Sequence, residues 1–372
     1  MRGFELKIIV VFVINIVLFA LPCFSQNTNK GFDIETSGLT EFWKIYALLE
    51  KDVEPSEADW NKLFTTPGYA LIEEREHRRK VLSNAFRLAY MPSKQAEKED
   101  IIKRGNSWTS YGLPHFQNIP KYRAEIELFQ KEVETGELFV KARRLAQEFL
   151  PAGAVEKTPP PPVSFIVYIG GRGYSRLLFD ILSLMNYHNR LGFIAHEFHH
   201  YYRNKNARKF HPFGDDLLPW AIVNVEIEGI AGLLDKREVP KMTVKELESL
   251  YPDPTQLNYA KSYQEVYARS NEWLKFAEQK LEKMADEPDR KAVLGKELHG
   301  GLPDNGRAMG TFMSEVIIKE LGRKKFLEIV GNPFAFWQVY NQAAKRTKGK
   351  AYILSDKALK VIIETRDKYQ IS

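Results

Sequence analysis

The stretch HEFHH, residues 196–200, constrains this chain more than any other feature. It gathers three of the chain's eight histidines and a glutamate into five consecutive positions. On a helix, His196 and His200 lie about 40° apart and one turn along, so both imidazoles can reach one ion. Glu197 falls about 60° beyond His200, on the edge of the same face, where it can hold a metal-bound water rather than the metal itself. His199 lies about 60° to the other side of His196 and is not needed. Opposite the metal face, Ile194, Phe198, Tyr201 and Tyr202 form an apolar stripe suited to packing against a core. A fold that satisfies this stretch buries one side of the helix and brings a further ligand to the other.

A catalytic zinc takes three protein ligands and leaves one position for water. The next strongly helical segment, PWAIVNVEIEGIAGLLDK (219–236), offers two glutamates. Glu228 shares its face with Ala221, Asn224, Ala231 and Gly232, small residues that let another helix approach closely. Glu226 points toward the apolar arc, where a lone carboxylate is costly. Glu228 therefore ranks above Glu226 as the third ligand.

Around this pair of helices the pattern is mainly helical, with apolar residues three and four apart from about Thr40 to Leu150 and again after residue 173. The sharpest change comes at four prolines, 159–162, which lead into a β-rich run, Val163 to Ile169, closed by glycines. Proline is tolerated at the entry to an edge strand, and this run is read as one. The expected fold class is α+β, predominantly α, with a small sheet. A helical region over 26–158 would precede a catalytic region over 159–372, or both would form one continuous domain over 30–372. The GGRG that follows the strand lacks the Walker lysine and the full GxGxxG spacing, which excludes phosphate binding.

The first 25 residues stand apart. Arg2 and Lys7 precede an apolar run from Ile8 to Pro22, followed by CFSQNTNK. A run of 15 residues is short of the about 20 needed to span a bilayer and matches a signal peptide cleaved after Ser25. Pro22 disfavours lipid attachment at Cys23. Cleavage removes the only cysteine, so the mature chain has no disulfide, thiolate site or cysteine nucleophile. It also lowers the formal charge from +6 to +5, through loss of Arg2, Lys7 and Glu5. The remaining basic runs are scattered and interspersed with acids; they read as solvated faces, not as a nucleic-acid surface. The expected chain is exported, with no stable membrane span after cleavage.

HExxH on one helix followed by EGIAGLLD on the next resembles the gluzincin class of zinc metallopeptidases. EADWNKLFTTPGYALI (57–72) and GNPFAFWQVYNQAAK (331–345) extend the similarity to exported bacterial zinc-dependent peptidases of uncharacterised function. The resemblance implies a zincin-like core, Zn²⁺ held by His196, His200 and Glu228, Glu197 as general base, and a peptide or protein substrate. One departure stands out. Four residues after the ligand glutamate such families commonly carry an aspartate that hydrogen-bonds a zinc histidine, and here the residue is Gly232. Asp235, on roughly the same face as Glu228, is the substitute the sequence offers. Gly232 also keeps open a rival reading, a non-catalytic exported zinc-binding or peptide-binding module derived from a peptidase. In resembling peptidases an edge strand pairs with the extended substrate backbone, a role open to the strand at 163–169.

An oxyanion donor is expected from outside the zinc helices. His299 and Arg307, in or beside the Gly- and Pro-rich stretch KELHGGLPDNGRAMG, are the candidates. His77, His115, His188 and His211 are assigned to structure or surface.

Overall fold

The protein is described by a computed structural model that covers residues 31–370 except 106, 212, 252 and 253. The expected signal peptide and the Gln26 terminus lie outside the described residues. Helices dominate, and four short strands form one mixed sheet in the order β1 (Ile34–Glu35), β2 (Val163–Ile166), β4 (Leu177–Asp180), β3 (Gly171–Gly173). β2 runs parallel to both β1 and β4, while β3 is antiparallel to β4.

β2 is thus an interior strand, not the edge strand its leading prolines suggest. Its four residues are buried, as expected for a parallel strand covered on both faces. It also ends earlier than the β-rich run, at Ile166. The Tyr69 hydroxyl takes both the N–H and the carbonyl of Val167, each at 3.0 Å, and so caps the ladder. The open edge on the other side of the sheet belongs to β3, in the GGRG segment.

The hydrophobic core runs across the proline segment. Phe139, on helix Glu137–Gln147, places its ring against Phe165 of β2, Phe179 of β4 and Phe198 of the histidine-bearing helix. The region before the prolines therefore packs directly on the sheet and on the back of the HEFHH stretch. That stretch lies on the helix Arg190–Asn206, here called the histidine helix. Asn189 caps its start by accepting from the Gly192 amide at 2.9 Å.

The glutamate helix, Leu217–Asp235, is long and apolar enough to cross a bilayer, yet most of it is buried within the protein. It is wedged between the histidine helix and helix Arg307–Leu321. The second crossing is a backbone-to-backbone contact. A Cβ on Gly310 would lie 2.1 Å from the Val225 carbonyl oxygen, and one on Gly229 would lie 2.3 Å from the Gly310 carbonyl carbon. No side chain fits there without parting the helices. Gly310→Ala is therefore expected to lower stability by about 1–3 kcal/mol, the usual range for overpacking a filled interior, read as an earlier urea midpoint at unchanged slope.

Candidate metal centre

The histidine helix is buried without interruption from Gly192 to Arg203. A run of polar groups in such a place must be matched to partners or to a ligand. His199 is matched to structure: its Nε2 meets the Phe149 carbonyl at 3.1 Å. Burial lowers the pKa of His199 well below the ordinary histidine value and keeps it neutral.

His196 and His200 turn the other way. Their rings stand almost perpendicular, with the two Nε2 atoms 3.0 Å apart. Glu228 approaches from the glutamate helix, Oε2 lying 3.6 Å from His196 Nε2 and Oε1 3.6 Å from His200 Nε2. A tetrahedral zinc with bonds of about 2.0–2.1 Å keeps its ligand atoms roughly 3.3 Å apart. The histidine nitrogens lie slightly inside that value and each carboxylate oxygen slightly outside it from the histidine it faces, so the donor set matches the ion in chemistry and lies close to it in size. All three ligand atoms lie within 4.8 Å of one another.

The tautomers agree with this. His196 Nδ1 meets Asp235 Oδ1 at 3.1 Å, which holds the ring hydrogen on Nδ1 and turns the Nε2 lone pair toward His200 and Glu228. Two imidazole nitrogens 3.0 Å apart then need a proton or a cation between them. Burial opposes charge on His196, but Asp235 and Glu228 outweigh it and raise its pKa to about 9. Burial and the neighbouring His196 lower that of His200 to about 3, against the pull of Glu228.

Asp235 fills the role that Gly232 leaves open. It is buried, gives Oδ1 to His196, and receives the Tyr187 hydroxyl at 3.2 Å and the Lys236 ammonium on Oδ2. Burial acts to raise its pKa, but Lys236 and His196 hold the carboxylate below the ordinary range. No aspartate fits at position 232, because a Cβ there would stand 2.4 Å from Thr311 Oγ1, a hydroxyl that donates to the Gly229 carbonyl. Asp235→Asn keeps the shape and removes the charge. Its zinc affinity is expected to fall about 10- to 100-fold, measured by competition with a chromophoric chelator.

Glu197 is 5% exposed and faces a cleft of about 610 Å³ that also contains His196, Asp235 and Arg307. Burial raises its pKa, and the negative Glu228 adds to the rise. A buried carboxylate of raised pKa beside a metal triad is suited to exchange protons with a bound water. β3 lies against it. A Cβ on Gly171 would come 2.8 Å from Glu197 Oε1, and one on Gly173 would come 2.8 Å from His200 Cβ. Two glycines two residues apart let the edge strand rest directly on the metal-bearing turn. That alternation inside a short GGRG run was the available signal for a strand at this position.

Of the other candidates, Arg307 reaches the cleft but is already engaged. Its Nε donates to Glu228 Oε2 at 2.8 Å, its Nη2 donates to the same oxygen, and its Nη1 donates to the Tyr259 hydroxyl at 2.9 Å. His299 lies within helix Lys291–Gly301, which runs through the glycines expected to form a loop, and is not among the described residues lining the cleft. Glu226 is fully buried and points away from the triad. Arg203 pairs with it, and the Gly331 amide donates to its Oε1 at 2.8 Å. His115, assigned by sequence to structure or surface, lines the cleft with Nε2 2.9 Å from Asp180 Oδ1. Arg172, Tyr187, Lys236 and Tyr259 are among the charged and phenolic lining residues that the sequence does not single out.

A family model described as "Putative zinc dependent peptidase (DUF5700)" matches residues 60–349, which include every residue of the triad and the cleft lining named above. No curated protein and no solved structure matches the chain.

Proposed function

The chain belongs to this zinc-dependent peptidase family, and from that premise we propose that it hydrolyses peptide bonds with His196, His200 and Glu228 as the zinc ligands and Glu197 as the general base. The observation that carries the reading is the position of Glu197: buried, beside the His–His–Glu triangle, and facing a cleft large enough for a peptide. A purely structural zinc site closes its coordination with a fourth protein ligand and has no use for such a carboxylate.

When bound, zinc acidifies a water molecule and polarises the scissile carbonyl. Glu197 takes the proton of that water and delivers it to the departing amine, a double role suited to a carboxylate whose pKa burial has raised. Asp235 keeps His196 in the tautomer that presents Nε2. Arg307 holds Glu228 through Oε2 and leaves Oε1 free. Arg307 Nη1 donates to the Tyr259 hydroxyl, which in turn donates to Asp304 Oδ2, so both side chains are fixed beside Glu228 by bonds of their own. β3, an edge strand of the sheet, is where an extended substrate backbone is proposed to pair.

Export through cleavage after Ser25 is part of the same proposal, and N-terminal sequencing of secreted protein reads it directly. The rival binding-module reading drew its support from Gly232, and the Asp235–His196 bond removes that support. A peptide-library digest with purified protein tests the function, run with a chelator and then with zinc restored. Zinc-dependent cleavage is the expected result. Stoichiometric zinc with no product across the library would overturn it.

A further inference from the structure

We propose that the cleft acts on internal bonds flanked by aromatic or large aliphatic side chains and reads no terminal charge. This rests on the peptidase reading above and names its substrate class.

An enzyme that trims chain ends must recognise an α-amino or α-carboxylate group, and recognition of a charge in a confined site requires an opposite charge free to meet it. Among the described lining residues the charged groups are committed elsewhere. Arg172 gives Nε to Glu76 at 3.0 Å and Nη1 to the Gly171 carbonyl at 2.7 Å. Lys236 is held by Asp235, and Arg307 by Glu228. Asp235 is saturated by His196, Lys236 and Tyr187. Of these lining residues, Glu197 alone has no ion pair among the described residues, and it is the proposed base. Drawing Lys236 or Arg307 onto a substrate carboxylate would also loosen the groups that hold His196 or Glu228. Lys236 and Arg307 therefore serve the metal centre and Arg172 is held by Glu76, which leaves all three poorly placed to select a charged ligand.

The lining left to a substrate is largely phenolic and aliphatic. Two elements far apart in sequence supply its exposed rings. Tyr111 on helix Trp108–Asn118 is 60% exposed, and Tyr122 just beyond it is 39% exposed. Tyr259 on helix Pro254–Ala268 is 36% exposed. Ile169 and Phe193 add apolar surface beside β3. Exposed tyrosines bury a partner side chain at low cost in rotamer entropy and keep the hydroxyl wet. A volume of about 610 Å³ is in the range that encloses a ligand of several hundred daltons, room for a few residues rather than one.

The test uses quenched fluorescent peptides of equal length, capped at both ends, whose central pair is Phe-Leu, Tyr-Phe, Asp-Glu or Lys-Lys, beside uncapped versions of each. Burying one large apolar side chain is worth roughly a tenfold to hundredfold factor. The expected result is kcat/KM higher by that factor for the apolar pairs, with capped and uncapped peptides equal within a few-fold. Tyr111→Ala with Tyr122→Ala should shrink the discrimination while zinc content holds. A parallel arm measures binding of the same peptides to zinc-loaded Glu197→Gln by fluorescence anisotropy. Cleavage confined to uncapped or acidic peptides overturns the proposal and leaves the peptidase reading intact. Apolar capped peptides that bind Glu197→Gln but are not cleaved by the unaltered protein overturn the peptidase reading instead. Absence of both cleavage and binding overturns both.

Discussion

Glu197→Gln is expected to keep its zinc and to lose at least about a hundredfold in peptide hydrolysis, the lower end of what general acid–base catalysis contributes. Glutamine has nearly the shape of glutamate and retains a carbonyl oxygen for the water, so the contacts with Gly171 and the packing of β3 survive the change. What disappears is a group that can accept a proton. The unaltered side chain is prepared for that task, because burial and the neighbouring Glu228 raise its pKa above that of an ordinary glutamate. Elemental analysis and initial rates on the same preparation decide the matter. Turnover within a few-fold of the unaltered protein would mean that another group takes the proton.

The second large effect separates the two buried glutamates. His196→Ala and His200→Ala are expected to lose zinc and activity together, and Glu228→Ala to hold zinc only weakly, since each removes one of three donors. Glu226→Ala should retain zinc and fail differently. It leaves the Arg203 guanidinium buried without its partner and strips an acceptor from the Gly331 amide. Breaking a buried pair in this way costs about 3–5 kcal/mol. Zinc content and urea denaturation, measured on all four variants, should therefore give opposite rankings. Loss of zinc in Glu226→Ala at native stability would reverse the assignment of the two carboxylates.

The contrast between these two glutamates also shows how far sequence reading reaches. Helical period alone put Glu228 on the small-residue face and Glu226 on the apolar arc, because the angle around a helix is set by local geometry. The same reading could not supply Arg203, which meets Glu226 only once the two helices are packed. For HEFHH the metal face and packing face were both legible, since one turn of helix fixes them. The open sheet edge was misassigned to Val163–Ile169 because β propensity marks strands by their side chains, and β3 is built from glycines chosen for having none. His299 stands in or beside a Gly- and Pro-rich stretch by sequence, yet helix Lys291–Gly301 runs through it and through the two glycines that follow. Asp235 was found because two helical turns return a residue nearly to the same face.

The Arg203–Glu226 pair joins the two metal-bearing helices about one turn from the ligands, by a bond that does not involve the ion. With Asp235 on His196 it ties the two helices together independently of the ion, so the chain is expected to keep its fold when stripped by a chelator, read as an unchanged far-UV circular dichroism spectrum. The resident zinc can then be drawn off and exchanged for cobalt without passing through an unfolded chain. Cobalt(II) prefers a similar ligand set but, unlike zinc, absorbs visible light. The spectroscopically silent centre would then carry its own dye, and its coordination could be followed by colour while a peptide enters the cleft.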